Sequence, residues 1–270
     1  KYELIVWIPL LLAISDKFLA GSNPVTLATP MNQAFDLTPF DIGTIESFEN
    51  TLASFEYAQS VGCTYIETDV QVSSDGIPYI FHDESLKRIT GKDEIFSSLT
   101  SHQIDELRIF DDHAIPTLDQ TLKAFPNLLF QIDLKTDMVA APALKVIKQN
   151  NAENRVCIAS FSSKRLKQVQ DNYPEMCLSM GPNEVAKLLL ASFGLYRGNI
   201  PGDCLQVPMY SYGIKVVTKR FIKYAQSRNL KIMVWTINDE KTLKKLINLN
   251  VDGIITDKPK LLHQLLKANF

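Results

Sequence analysis

Short apolar runs alternate with helical patterns along most of the chain, and this alternation constrains the fold more than any other feature. Most of the runs are continuously apolar, as expected for parallel strands that are buried on both faces. Nine candidate strands lie at 25–29, 64–70, 77–82, 128–134, 156–160, 177–180, 204–207, 231–236 and 253–256. Helical patterns lie at 48–61, 118–124, 141–150, 163–172, 218–228, 240–249 and 260–267. The pattern predicts an α/β fold, a single parallel (β/α)8 barrel of the TIM type.

The number of candidate strands exceeds the eight of such a barrel by one. One of the two short runs between residues 177 and 207 is therefore expected to lie outside the barrel. No Pro/Gly/Ser-rich linker divides the 270 residues, which predicts one barrel domain over residues 24–270.

Residues 1–23 have a different character. An apolar run at 4–14 follows Lys1 and leads to a small-residue stretch at 20–22, but Asp16 and Lys17 interrupt it. Two interpretations stay open: a trimmed membrane anchor or signal peptide, which would allow membrane association, or a segment packed on the barrel. The compartment is accordingly open, with a cytoplasmic or membrane-associated protein favoured over a periplasmic or secreted one.

Charge and cysteine content exclude some function classes. The chain has 28 basic and 30 acidic residues and a net charge of −2, so it offers no broad basic surface for nucleic acid. Its four cysteines are Cys63, Cys157, Cys177 and Cys204. They lie far apart with no C-x-x-C pair, which argues against structural zinc and predicts buried, reduced thiols.

The segment from Ile66 to Val70 contains the first candidate site residues. Glu67 and Asp69 are two positions apart in a predicted strand, so their side chains face the same side. Two carboxylates at the end of an apolar strand are costly unless a cation or hydrogen-bond donors satisfy them, and Mg²⁺ or Ca²⁺ accepts such oxygens. An exposed pair at a strand end is the alternative.

His82 is the candidate proton donor or acceptor. A turn at 72–76 separates the carboxylate strand from the run that ends at His82 and Asp83. The connection is too short for a helix, so the chain is expected to run down and up again, which brings His82 to the same end of the barrel as Asp69. A structural histidine is the alternative.

Two further strand ends complete the candidate site. Asp133 and Lys135 share a face, so Asp133 could complete a set of metal ligands and Lys135 could hold a substrate phosphate. Trp235 ends a later strand and is either a core residue or a wall against an apolar part of the substrate.

With these residues assembled, the chain from Pro24 onward resembles the glycerophosphodiester phosphodiesterase family. The resemblance rests on the order and spacing of several stretches, namely Glu49-Asn50-Thr51, Glu67-Thr68-Asp69-Val70, Asp75-Gly76, His82-Asp83, Ile115-Pro116-Thr117-Leu118, Asp133-Leu134-Lys135, Ser160-Phe161, Trp235-Thr236-Ile237-Asn238 and 251–259.

The resemblance implies a metal-dependent hydrolase that cleaves glycerophosphodiesters to sn-glycerol 3-phosphate and an alcohol, with lysophospholipids as substrates of some relatives. It implies that Glu67, Asp69 and Asp133 bind the metal. It also implies that His82 is one of two catalytic histidines and that Lys135 contacts the phosphate.

One departure from the family pattern concerns the first strand. The family has His-Arg-Gly there, whereas this chain has Thr29, Pro30 and Met31, and it has no histidine before His82. Thr29 cannot act as an acid or base near neutral pH, and Pro30 cannot hold a phosphate, so the departure predicts impaired turnover. The alternative function is a catalytically inactive protein on the same fold that binds phosphodiesters or lipid headgroups.

Overall fold

The structure is a computed structural model that describes residues 49–110 and 112–268, together with the main chain of residues 4–7. The predicted strand at 25–29, with Thr29 and Pro30, lies outside the described residues, and so does the rest of the segment 1–23. Within the described ranges, no helix is long and apolar enough to cross a membrane.

The fold is a parallel (β/α) barrel of the TIM type. Its strands are β1 (Leu4–Trp7), β2 (Tyr65–Val72), β3 (Pro78–Ile80), β4 (Leu129–Leu134), β5 (Val156–Ala159), β6 (Cys177–Leu178), β7 (Cys204–Pro208), β8 (Tyr210–Ser211), β9 (Ile214–Lys215), β10 (Lys231–Trp235) and β11 (Gly253–Thr256). Parallel pairing connects β2, β4, β5 and β6 in that order, and likewise β7, β10 and β11. A parallel bridge between Ser179 and Cys204 joins the two sheets.

The strands at the two ends of this series have additional partners. β1 pairs antiparallel with β11, and β3 pairs antiparallel with β2. The described residues thus supply seven parallel strands, which follow one another around the barrel in chain order.

The surplus strand is β3. Both short runs between residues 177 and 207 belong to the barrel, as β6 and β7, so the expectation that one of them lies outside it is wrong. β2 is eight residues long and extends two residues beyond its pairing with β4, so the next strand can fold back along it as a hairpin.

This hairpin also corrects the predicted route to His82. The chain turns at Gly76, whose φ of 86° is readily adopted by glycine. It then runs back once along β2, whereas the predicted route ran down and up again. The N–H of Phe81 donates to the carbonyl of Asp69 at 3.0 Å, so the single return brings His82 back to the level of Asp69.

The helices are α1 (Leu52–Ser60), α2 (Lys87–Thr90), α3 (Ser101–Asp105), α4 (Leu118–Ala124), α5 (Ala140–Gln149), α6 (Ser163–Asn172), α7 (Pro182–Ser192), α8 (Lys219–Ser227), α9 (Glu240–Asn248) and α10 (Pro259–Ala268). Two 3₁₀ turns lie at Phe96–Ser98 and Glu153–Arg155. The seven predicted helices are confirmed, whereas α2, α3 and α7 were not predicted.

The main apolar core lies between the strands and the helices. Ile66 and Val70 on one face of β2 belong to the same buried cluster as Phe55 of α1 and Leu118 of α4. The opposite face of β2 carries Glu67 and Asp69, since strand residues alternate between faces. Burial of the apolar face against helices therefore directs both carboxylates into the barrel.

Candidate active site

Three carboxylates lie at the carboxyl ends of two neighbouring strands. Asp69 of β2 is the register partner of Asp133 of β4, and Glu67 lies two residues before Asp69. Only 5%, 7% and 5% of Glu67, Asp69 and Asp133 is exposed, respectively. The interpretation of Glu67 and Asp69 as an exposed pair at a strand end is therefore wrong.

Lys135 lies between two of these carboxylates. Its Nζ is 2.6 Å from Oδ1 of Asp69 and 2.8 Å from Oδ2 of Asp133. Burial would lower the pKa of Lys135, but the two carboxylates outweigh this effect and raise it above its ordinary value. Lys135 is therefore a fixed positive charge at the site.

The donor set fits a hard divalent cation. Glu67, Asp69, Asp133 and Lys135 together carry a formal charge of −2, inside a largely buried space. Gln131, the register partner of Glu67, adds an amide oxygen that is buried and has no hydrogen-bond partner among the described residues. Carboxylate and amide oxygens are ligands that Mg²⁺ and Ca²⁺ accept.

Asn50 positions Asp69. Its Nδ2 donates to Oδ2 of Asp69 at 3.2 Å, while its Oδ1 accepts a hydrogen bond from the Thr68 hydroxyl at 2.7 Å. Asn50 has a φ of 56°, a left-handed conformation that asparagine tolerates better than most residues. Thr51 then caps α1 through a reciprocal pair of hydrogen bonds with Ser54, so the start of the helix holds Asn50 in place.

His82 belongs to a second polar group beside the carboxylates. Its Nδ1 is 2.6 Å from Oδ1 of Asp83, and its side chain is 48% exposed. Arg88 donates from Nε to Oδ2 of Asp83 at 2.5 Å and also pairs with the buried Glu49. Hydrogen bonds from Arg88 and His82 outweigh the effect of burial and hold the pKa of Asp83 below its ordinary value.

Small-ligand sites are typically cavities of about 300–1,000 Å³. A cavity of about 630 Å³ opens beside the carboxylates. Glu67 and Asp133 line it, together with Phe161 and Trp235, whose rings meet edge to face at 5.8 Å. Phe161 and Trp235 form an apolar wall of the cavity. Lys135 Nζ lies 5.9 Å from the centre of the Phe161 ring, so this wall lies next to the group of carboxylates and Lys135. His82 lies outside the lining of this cavity.

The structure brings together most of the residues predicted from the sequence. Glu67, Asp69, Asp133 and Lys135 form one group, Trp235 lies on the adjoining wall, and His82 is at the same end of the barrel. Thr29 and Pro30 lie outside the described residues.

Sequence reasoning assigned no role to three residues that contribute here. Asn50 and Phe161 lie within stretches that carry the family resemblance, which was the available signal for them. Arg88 had no such signal, since its partners Asp83 and Glu49 are 5 and 39 residues away along the chain.

Comparison with known proteins identifies the family of this chain. The model of the glycerophosphoryl diester phosphodiesterase family matches residues 34–261. A Mycobacterium tuberculosis protein named "Probable glycerophosphodiester phosphodiesterase 2" is 29% identical over 225 residues, which cover 81% of this chain and 85% of that protein. The human lysophospholipase D is 23% identical over 265 residues, with 83% of each chain covered.

A solved structure is similar over most of its length. It is a phosphodiesterase from Oleispira antarctica in complex with the product sn-glycerol-3-phosphate. The TM-score is 0.69 at 23% sequence identity, over 81% of this chain and 91% of that one. This likeness supports the barrel fold.

Proposed function

The chain belongs to the glycerophosphoryl diester phosphodiesterase family and is thereby a phosphoric diester hydrolase, and we propose that it hydrolyses glycerophosphodiesters to sn-glycerol 3-phosphate and an alcohol with the help of a divalent metal ion. The observation that carries this proposal is the buried group of three carboxylates and Lys135 at the carboxyl ends of β2 and β4. Catalytic residues of TIM barrels lie at that end of the strands.

Glu67, Asp69 and Asp133 would hold the metal ion, which is Mg²⁺ or Ca²⁺ on the chemistry of its ligands. When bound, it would offset the negative charge that develops on the phosphate oxygens. Asn50 fixes the orientation of Asp69 through its hydrogen bond, and Lys135 adds a positive charge that binds phosphate oxygens.

In the reaction, water adds to phosphorus, the bond from phosphorus to the alcohol oxygen breaks, and that oxygen takes up a proton. We assign the transfer of this proton to His82. Asp83 holds the ring through Nδ1, which leaves Nε2 as the nitrogen that exchanges the proton. Arg88 keeps Asp83 ionised and in place, and so positions His82 indirectly.

The cavity supports an alcohol with an apolar part. Phe161 is 67% exposed and meets Trp235 beside the carboxylates, and both line the cavity. A lysophospholipid would place its acyl chain along such a wall, in line with the name of the human relative, lysophospholipase D. Phe161→Ala should then reduce kcat/KM for a lysophospholipid more than for glycerophosphocholine.

This chain has Thr29 and Pro30 at the positions where the family has the first catalytic His and the Arg. This difference supports slow turnover. Loss of one general acid or base typically lowers the rate by about 10²–10⁴-fold. The same replacement favours the second candidate function, a protein that binds phosphodiesters or lipid headgroups without cleaving them.

The decisive experiment is the release of glycerol 3-phosphate from glycerophosphocholine, with Mg²⁺, Ca²⁺ and EDTA in parallel. We expect release that depends on the metal ion and falls by at least about 100-fold in Glu67→Gln, since this change removes a charged ligand. Glu56→Gln, on the exposed face of α1, is the matched control and should leave the rate unchanged.

The outcomes separate the two candidate functions. A folded protein that releases no product with either metal ion, but is stabilised against heat by metal plus glycerophosphodiester, would support the binding protein. Metal-dependent release that persists unchanged in Glu67→Gln would contradict the assigned metal site.

A further inference from the structure

Three cysteines from three successive strands meet inside the barrel. Cys157 of β5 pairs in register with Cys177 of β6, and Cys204 begins β7. Their sulfur atoms all lie within 4.8 Å of one another, and those of Cys157 and Cys204 are 3.6 Å apart. In the part of the chain that is described, no other three His, Cys, Asp or Glu side chains bring their ligand atoms this close together.

The surroundings of this cluster are apolar and rich in sulfur. Met233 of β10 belongs to the same buried group, against which Leu129 of β4 also packs. The Tyr65 hydroxyl is hydrogen-bonded to the sulfur of Cys157. A donor set of three thiols beside a thioether is chemically soft, unlike the oxygen donors of the carboxylate group.

Cys157 and Cys204 are not positioned to form a disulfide with each other. Their sulfurs are 3.6 Å apart, but β6 separates their strands, which places their main chains two strand spacings apart, about 9–10 Å. A disulfide requires Cα atoms closer than about 7 Å. Their sulfurs instead converge because both side chains point at the barrel axis.

One cysteine lies apart from the cluster. Cys63, the fourth cysteine, lies in the outer core, where burial raises its pKa to about 12. The converging geometry, and not burial alone, distinguishes the cluster.

We propose that Cys157, Cys177 and Cys204 form a binding site for a soft metal ion, and that Cu(I) is the ion it fits. A metal–thiolate bond is about 2.3 Å long, and a point among three sulfurs no more than 4.8 Å apart lies within about 2.8 Å of each, so small side-chain shifts complete the site. Structural Zn²⁺ takes four ligands, whereas the cluster offers three thiolates with only a weak thioether nearby.

A metal ion could reach the three cysteines from the cavity beside the carboxylates. Ala159, Ser179 and Gln206 each lie two residues beyond one of the cysteines on the same strand face, and all three line the cavity. Two residues of a strand span about 6.6 Å, so the thiols lie one layer of side chains below the cavity floor.

The test is an anaerobic titration of the reduced protein with Cu(I) in competition with a coloured Cu(I) chelator. We expect one equivalent to bind, and the affinity to fall by more than about 100-fold in Cys157→Ser and in Cys204→Ser, since even the loss of an outer-shell partner can cost that much. Cys63→Ser is the matched control and should bind as the unaltered chain does, and so should Glu67→Gln, which alters the separate carboxylate group.

X-ray absorption at the copper edge keeps the proposal testable if a serine variant does not fold, because it needs only the unaltered chain. The expected result is three sulfur neighbours at about 2.3 Å. The proposal is overturned by nitrogen or oxygen neighbours, by equal Cu(I) affinity in the cluster variants and the unaltered chain, or by tighter binding of Zn²⁺ than of Cu(I).

Discussion

At the scale of single residues, Lys135 is held in place by the carboxylates it neutralises. Its ammonium group makes ion pairs with Asp69 and Asp133, and all three side chains are at least four-fifths buried. Removal of one partner from a buried ion pair leaves an uncompensated charge in a poorly solvated space, which is strongly destabilising. Lys135 and a metal ion would both bind the carboxylates of Asp69 and Asp133. Either cation should therefore partly replace the other in neutralising these two carboxylates.

Replacement of Lys135 by methionine should therefore lower the free energy of unfolding by about 3 kcal/mol in EDTA. Millimolar Mg²⁺ or Ca²⁺ should restore part of this loss, and should stabilise the variant more than the unaltered chain, because the cation takes over the role of the ammonium group. Urea unfolding in EDTA and in each metal ion measures both effects.

Lys167→Met is the control, since Lys167 pairs with Asp171 on the exposed surface of α6. Its unfolding free energy should change by less than about 0.5 kcal/mol, with no dependence on the metal ion. Equal metal-induced stabilisation of Lys135→Met and the unaltered chain would contradict competition for the carboxylates.

The residues of the site differ in how far the sequence determines them. Alternation along a strand predicts that Glu67 and Asp69 share a face, and parallel neighbours predict that Asp133 lies close by. The ion pairs of Lys135 and the link from Arg88 to Glu49 depend on rotamers and loop positions, which no periodicity encodes. The three-cysteine cluster was missed because its members are 20 and 27 residues apart and meet only when the barrel curves.

At the scale of elements, the β2–β3 hairpin is fastened to the start of α3 by one carboxylate. Asp75 in the turn accepts hydrogen bonds from the N–H of Ser101 at 2.8 Å and from its hydroxyl at 2.6 Å. These bonds, with a further one from Ser73, lower the pKa of Asp75 from 3.8 to about 2. The hairpin that carries His82 thus depends on an ionised residue at its tip.

The contribution of Asp75 to stability should vary with pH in a defined window. Because its pKa in the folded chain is lowered, the contribution is fully present above pH 3.8 and is lost as the pH falls to about 2. The unaltered chain should be more stable than Asp75→Asn at pH 6, and the difference should shrink between pH 4 and about 2. Urea unfolding of both proteins over this range measures the difference.

A double-variant comparison tests the assigned cause. In the background of Ser101→Ala, the substitution of Asp75 should have a smaller effect at pH 6, because the two residues act through the same hydrogen bonds. A difference between the unaltered chain and Asp75→Asn that stays constant from pH 6 to pH 2 would contradict this account.

The elements themselves were largely predictable. The helices at 118–124 and 163–172 agree with the prediction to the residue, since each directly follows a Thr or Ser that caps it and has a clear apolar face. The sequence did not reveal α7 for two reasons. The helix begins at Pro182 after Gly181, which has no side chain to cap it, and it exposes apolar residues such as Leu190. The surplus strand β3 was misassigned because an antiparallel hairpin strand has the same apolar pattern as a barrel strand.

At the scale of the whole molecule, the barrel depends on a junction between its two sheets. β6 and β7 meet through the single bridge from Ser179 to Cys204, and the N–H of Met180 donates to the carbonyl of Cys204 at 2.8 Å. Asp203 reinforces the junction, since its carboxylate accepts a hydrogen bond from the N–H of Leu178 at 3.0 Å. The turn into β7 brings Gly202 against Met180, with a φ of 128°.

Gly202→Ala should weaken this junction. A Cβ at position 202 would lie 2.5 Å from Cγ of Met180, and the φ of 128° is one that only glycine adopts without strain. We expect the free energy of unfolding to fall by about 2 kcal/mol or more. Because the junction joins the half of the barrel that carries the carboxylates and Phe161 to the half that carries Trp235, phosphodiester hydrolysis should be lost at a lower temperature as well.

Gly194→Ala separates the two causes of this loss. Gly194 also has a positive φ, 77°, but a Cβ there would meet nothing within 4 Å, so its substitution carries the conformational cost alone, about 1 kcal/mol. Urea unfolding of the two variants side by side should find Gly202→Ala the less stable. If both lose the same free energy, the contact between Gly202 and Met180 does not constrain the junction, and β6 and β7 have room to adjust without loss of the barrel.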